Sequence, residues 1–425
     1  MSCIVRSKTY RLFLILLCLT CPWLFQSRLI AVEQPDKGNL VSSQVEVLPK
    51  FKRENYNPAV IHLRFTSAAG RTTTPDTDSF LDLTVIPSSG NVEGFRIELS
   101  SKTFGNQLRQ LYSQLSRLES LGVDDPQSPS RQIHALLFGG LKDVLRREKV
   151  TTLLLAADRG LQAVPFAALH DGEAYFGDQY AFAITPSLAL TDFEPSSNPQ
   201  GRVLALGASK FDGLAALPLV PQELNRISEE GKKDKFLNRE FTPSSFLDKA
   251  SQPEYVTLHI ATHAEFKPGG PESSQLHSGS GPVSMKELSK LREKRKGIPL
   301  DLVIFSACRT ALGDADAELG FSGLALQAGA RSAIGTLWYV DDVVTSAYFV
   351  QMYRFLEQGV PKAEAMQMTR QAFNGGLVKL SGDEVIGVDG VVLLRELTPS
   401  QRRRVSNGVS NPFFWAGIEL MGAPW

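Results

Sequence analysis

Beyond position 21 this 425-residue chain has one cysteine, Cys308; the other three, Cys3, Cys18 and Cys21, crowd its beginning. That excludes a disulfide framework in the body, so a hydrophobic core must hold the fold. An excess of charge of either sign is also missing, with 45 Lys and Arg against 45 Asp and Glu. A neutral chain gives no electrostatic case for a nucleic-acid partner or for adhesion to an acidic membrane. The basic runs at Lys286–Lys296 and Arg402–Arg404 have acids nearby and read as solvated helix faces. Histidine is scarce at six residues. Only His259 and His263 stand at ligand spacing, and they fall on and beyond a strand instead of on one helix face. No metal and no cofactor is therefore expected. Internal repeats are absent, and so is any apolar run after the N-terminus long enough to cross a bilayer.

What is present begins with Arg6, Lys8 and Arg11 ahead of the apolar run Leu12 to Phe25. A positive flank, a short apolar core and then polar chain is the layout of a secretory signal. The expectation is an exported protein, in periplasm or lumen, with residues 1–31 as signal peptide. An uncleaved membrane anchor is the alternative, and it would be the only membrane contact. Residues 32–57 read as a linker. Residues 58–149 read as a small α+β region, in which "AVIHLRFT", "FLDLTVIP" and "FRIELS" alternate as strands do before two stretches of helical periodicity.

From residue 150 to 425 short, continuously apolar runs ("TTLLLAA", "RVLALGA", "YVTLHIA", "DLVIFSA", "SAIGTLW") alternate with helical segments. This is the pattern of a mostly parallel sheet covered on both faces. Two stretches interrupt it. Residues 267–282, "KPGGPESSQLHSGSGP", are expected to form a mobile loop, and residues 374–408 a polar insertion.

In such sheets chemistry gathers at the carboxyl ends of the strands. "YVTLHIATHAEF" ends a strand near Ile260 and sets His263 just beyond it. "LVIFSACRTALG" ends one near Ser306 and sets Cys308 just beyond it. If these strands are neighbours, imidazole and thiol lie side by side, the arrangement a cysteine nucleophile needs. His259, inside the strand, reads as a satisfied core histidine. Trp338, at the end of its strand, reads either as a pocket wall or as core. The acids Asp314, Asp316, Glu318, Asp341 and Asp342 read either as pocket charges favouring a basic substrate residue or as ordinary helix caps.

"HIATHAEF", "DLVIFSACRTALGD", "ELGFSGLALQAGARSAIGTLWYVDD" and "NPFFWAGIELMG" resemble the CHAT domain, a bacterial relative of caspases and separases. "GLQAVPFAALHDGEAYFGDQYAFAITPSLAL" resembles that family's opening segment. The resemblance, cyanobacterial-like in character, spans Val150 to Trp425. It implies an α/β fold, a caspase-like α/β/α sandwich with a mostly parallel sheet. It implies a Cys–His dyad in which His263 is the base and Cys308 the nucleophile. The oxyanion donors would be the backbone N–H groups of Cys308 and Ala264. The substrate would be a protein, and a regulatory partner such as a tetratricopeptide-repeat protein is implied, although no such repeat is in this chain. Near the C-terminus Asn411 stands where the family has histidine. Three readings stay open: a cysteine endopeptidase, a silent interaction module on the same fold, and a thiol redox sensor.

Overall fold

In the computed structural model the described residues are 48, 51–68, 76–158, 160–194, 201–227, 231–265, 272–307, 320–339 and 341–425. Lys50–Trp425 form one compact unit, which contains every strand and helix named here; the expected signal segment lies outside the described residues.

Three alternating strands open this unit: β1 (Pro58–Ser67), β2 (Ser79–Pro87) and β3 (Glu93–Leu99). They pair antiparallel, with Leu63 opposite Leu83 and Leu83 opposite Phe95. Ala59, Ile61 and Leu63 of β1 and Leu81, Leu83 and Val85 of β2 are buried while their neighbours are not, as period-two alternation requires. A helix follows, Ser101–Ser116, capped by the Ser100 hydroxyl accepting from the Thr103 N–H, with Phe104, Leu111 and Leu115 on its buried side. These strands form no separate layer. β1 pairs in parallel with β4 (Thr152–Ala157), from Pro58 opposite Thr152 to Leu63 opposite Ala157.

β4 is followed by β5 (Ala181–Thr185), β6 (Arg202–Gly207), β7 (Lys233–Leu237) and β8 (Tyr255–Ala261). A short β9 (Ala264–Glu265), β10 (Gln275–Ser278) and β11 (Gly281–Ser284) make a small sheet of their own. Then come β12 (Leu302–Ser306) and β13 (Ser332–Thr336), a second small sheet of β14 (Lys379–Ser381), β15 (Glu384–Ile386) and β16 (Val392–Leu394), and finally β17 (Ile418–Gly422). Among the described residues the main sheet has eleven strands in the order β3-β2-β1-β4-β5-β17-β13-β12-β8-β6-β7. β4, β5, β12, β13 and β17 are buried along their whole lengths, because helices cover both faces. The long helix Asp342–Glu357 is buried on nearly all sides, with Tyr348, Phe349 and Met352 inside.

The sheet contains two parallel blocks running in opposite directions. β17 is parallel to β5 but antiparallel to β13. β13, β12, β8, β6 and β7 run parallel to one another, so their carboxyl ends meet at one edge.

The Gly- and Ser-rich stretch differs from its expectation over residues 272–282; residues 267–271 lie outside the described residues. Residues 275–284 are a β-hairpin, and β10 pairs with β9 immediately after His263. One of its glycines serves contact: a Cβ on Gly279 would lie 2.0 Å from the Asn238 carbonyl oxygen. The Gly279 N–H also donates to the Phe241 carbonyl at 3.0 Å. Glycine here permits close packing of backbones instead of conferring mobility. The polar insertion likewise folds, as β14–β16 and the helix Pro399–Arg404.

Candidate active site

β8 and β12 are direct neighbours in parallel register, from Leu302 opposite Thr257 to Ser306 opposite Ala261. His263 lies two residues past Ala261, and Cys308 two past Ser306. Cys308 itself, with Asp314, Asp316 and Glu318, lies outside the described residues. Ala307, directly before it, lines an open cleft of about 500 Å³ at the carboxyl edge of the sheet. His263, Thr262, Ser306, Thr336 and Tyr339 line the same cleft. Leu217, Leu219 and Val220 contribute an apolar wall, and Glu223, Asp342, Thr345 and Ser346 complete it.

Among the described residues, two contacts hold the imidazole of His263. Its Nε2 is 2.8 Å from the Ala215 carbonyl oxygen, in the loop after β6. Phe211 of the same loop packs against it, ring centroids 4.7 Å apart. A carbonyl only accepts, so Nε2 carries the proton, and in the neutral ring the lone pair is on Nδ1. The orienting group is thus a backbone carbonyl, not an acid.

The backbone on both sides of His263 is held by the β10 strand. The His277 N–H donates to the His263 carbonyl at 2.9 Å, and the Thr262 hydroxyl donates to the His277 carbonyl. His263 and His277 are therefore a hydrogen-bonded pair. By the alternation of antiparallel ladders the next pair, Ala264 and Leu276, is not, and the Ala264 N–H turns away from β10.

Beneath the cleft lies a buried polar cluster. His259, fully buried in β8, is satisfied as its position within the strand suggests. Its Nε2 donates to Glu223 Oε1 at 2.8 Å, and its Nδ1 faces the Tyr353 hydroxyl at 3.4 Å. Glu223 Oε2 accepts from the Ser346 hydroxyl at 2.6 Å.

The candidate pocket residues separate. Asp341 is the N-cap of the Asp342–Glu357 helix, accepting from the Val343 N–H at 2.9 Å. Burial raises its pKa, opposed by Arg404, whose guanidinium lies 2.8 Å away. Asp342 lines the cleft but is also bridged to Arg404. Trp338 turns to the other side. It stacks on Phe413 at 6.2 Å, meets the edge of Tyr112 at 5.7 Å, and donates its Nε1–H to the Phe413 carbonyl at 2.9 Å. Its neighbour Tyr339, 62% exposed, stands at the cleft. Asn411 caps the turn Pro412–Phe414 and takes no part in the cleft lining.

Sequence reasoning misses Ala215 and Glu223. A backbone carbonyl has no sequence signature. Glu223 has one: it lies between Val220, Leu224 and Ile227 on the buried side of its helix, an acid in an apolar stripe.

By structure the chain is similar to separase in the Saccharomyces cerevisiae separase–securin complex, with a TM-score of 0.55 and 10% identity over 88% of this chain and 30% of that one. It is also similar to the Arg-specific cysteine proteinase gingipain R, with a TM-score of 0.41 and 8% identity over 76% of this chain and 75% of that one. This chain therefore spans less than a third of the separase chain it matches. Among curated proteins none matches its sequence. The likeness to separase is one of fold, the caspase-like sandwich. The family model for the CHAT domain matches residues 127–423. A match of that extent makes the chain a member of the CHAT domain family.

Proposed function

We propose that the protein is a cysteine endopeptidase in which Cys308 attacks a peptide carbonyl of a protein substrate and His263 moves the proton. The observation that carries this reading is the contact between His263 Nε2 and the Ala215 carbonyl at the carboxyl edge of the sheet. The Nε2–H is bound to the Ala215 carbonyl, which leaves Nδ1 as the base. The strand register supports the partner, since His263 and Cys308 are equally far past a paired position. A neighbouring imidazole lowers a thiol pKa and accepts its proton. In acylation the Cys308 sulfur bonds to the carbonyl carbon, the C–N bond breaks, and the imidazolium returns the proton to the leaving amine. Water, deprotonated by the same imidazole, then releases the acid and regenerates the thiol. The Ala264 N–H, turned away from β10, and the Cys308 N–H serve as oxyanion donors.

A basic substrate residue would answer the acids around the cleft, with Asp342 as the described candidate; its bridge to Arg404 must open or be shared. A regulatory protein partner fits a structural neighbour crystallised with securin. Export is part of the same proposal, and N-terminal sequencing of the mature protein checks it.

The test is the alkylation rate of Cys308 against pH in the full chain, located by peptide mapping, with and without His263→Ala. A thiolate titrating well below about 8.5 and shifted upward by the substitution supports the dyad. A thiol unreactive at every pH, or one indifferent to His263, removes the dyad and leaves an interaction module or a redox thiol.

A further inference from the structure

We infer that Glu223 is a positioning residue for His263, acting through the helix it anchors and the Ala215 carbonyl that this helix holds in place. The inference deepens the proposed dyad, and its readout is independent of peptidase activity.

Glu223 is 1% exposed on the seven-residue helix Val220–Arg226. A carboxylate so deep is tolerated only when its oxygens are hydrogen-bonded. Both are, and to different elements: Oε1 to His259 of β8, Oε2 to Ser346 of the Asp342–Glu357 helix. One side chain thus ties a short helix to the sheet below it and to the helix beside it. Other polar ties of this helix are nearer the surface: Gln222 to the Arg395 backbone, Arg226 to the Val392 carbonyl, and Asn225, which accepts from the Lys233 and Lys235 ammonium groups of β7.

The loop from Ala208 to Leu219 runs directly into this helix. At its base the Leu217 N–H donates to the Ser209 carbonyl at 3.0 Å, and the Ser209 N–H donates to Asn238 Oδ1 at 2.8 Å. Leu214, Ala215 and Ala216 at its tip are exposed. Their position is set by the anchors on either side of the tip: Ser209 and Phe211, which packs on the core, before it, and the Glu223 helix after it. Ala215 is the residue whose carbonyl binds His263 Nε2. Releasing the helix moves that acceptor and frees the imidazole to exchange tautomers. Glu223 touches no reacting atom; it sets which nitrogen of His263 bears the lone pair.

The experiment uses the full chain labelled with ¹⁵N-histidine. The His263 ring signals are identified by their loss in His263→Gln. In the wild type the neutral ring is expected to be protonated at Nε2. Glu223→Ala is expected to lose that preference, giving mixed tautomers in a protein still folded by circular dichroism. Glu223→Gln, of the same shape, is expected to keep it. Ser346→Ala, which removes one of the two ties, is expected to fall between, and it decides the matter if Glu223→Ala does not fold. His263 signals unchanged in Glu223→Ala, or in Ser346→Ala where only that variant folds, overturn the inference. So does a wild-type His263 that lacks the Nε2–H tautomer. If the tautomer is as expected but Cys308 alkylates independently of His263, the peptidase reading fails while the positioning role stands.

Discussion

Gly279→Ala separates a mobile loop from a packed hairpin. Were residues 267–282 a flexible surface loop, an alanine there would be nearly neutral. In the structure its Cβ would meet three backbone atoms of Asn238, at 2.0, 2.1 and 2.6 Å. None is the far end of a flexible side chain, so the β10–β11 hairpin and the Asn238–Glu240 turn must part by about 1 Å or more to restore ordinary contact. Overpacking of this kind costs about 1–3 kcal/mol. The same movement strains the bond from the Gly279 N–H to Phe241 and that from the His277 N–H to the His263 carbonyl. Each is worth about 1 kcal/mol. The expected loss is therefore about 2–5 kcal/mol, read from the midpoint of urea unfolding with the slope unchanged. Because His277 holds the backbone at His263, alkylation of Cys308 should slow as well, by up to about 10²-fold for a displacement near 1 Å. A variant as stable and as reactive as the wild type would refute the reasoning and restore the loop.

Gly105→Ala is the matching control. Gly105 sits inside the Ser101–Ser116 helix with only the end of the Arg109 side chain near, at 3.6 Å, so alanine should stabilise by about 0.5–1 kcal/mol in the same urea assay. The pH dependence of stability should carry two opposing slopes. Burial raises Asp178 to about 6 and Glu364 to about 7, so the folded state holds protons that the unfolded chain has released, and these groups make stability fall as pH rises from about 4 to 7. Burial lowers His134 to about 4, so it makes stability rise between about 4 and 6.5. Asp178→Asn and Glu364→Gln should therefore gain on the wild type as pH increases through that window, by thermal or urea midpoint; a difference constant with pH would contradict the burial of these carboxyls.

Several features are legible in the order of residues alone. Continuous apolar runs such as "TLLLAA" and "LVIFS" suit strands buried on both faces, and they are β4 and β12. Alternation in "AVIHLRFT" marks a strand with one covered face, but cannot tell that β1 joins the main sheet through β4, because pairing partners are chosen in three dimensions. The strand-end rule singles out His263 and Cys308 as candidates, and β8 and β12 are indeed adjacent. β7, with its mixed "KDKFL", carries no such signal, because an edge strand needs no apolar run.

By itself the sequence determined the α/β class, the two residues to watch, and that no two cysteines beyond position 21 are available to pair, since these follow from composition and local periodicity. Only the tertiary structure decided how His263 is held. The Ala215 carbonyl and the β10 backbone come to it from 48 and 14 positions away in the chain, and the Glu223 carboxylate lies beneath the same cleft, bound to His259 and Ser346. Two of these are peptide groups, identical at every residue, so nothing in the side-chain pattern could name them. The third is an acid whose meaning depends on the two donors that packing brings to it.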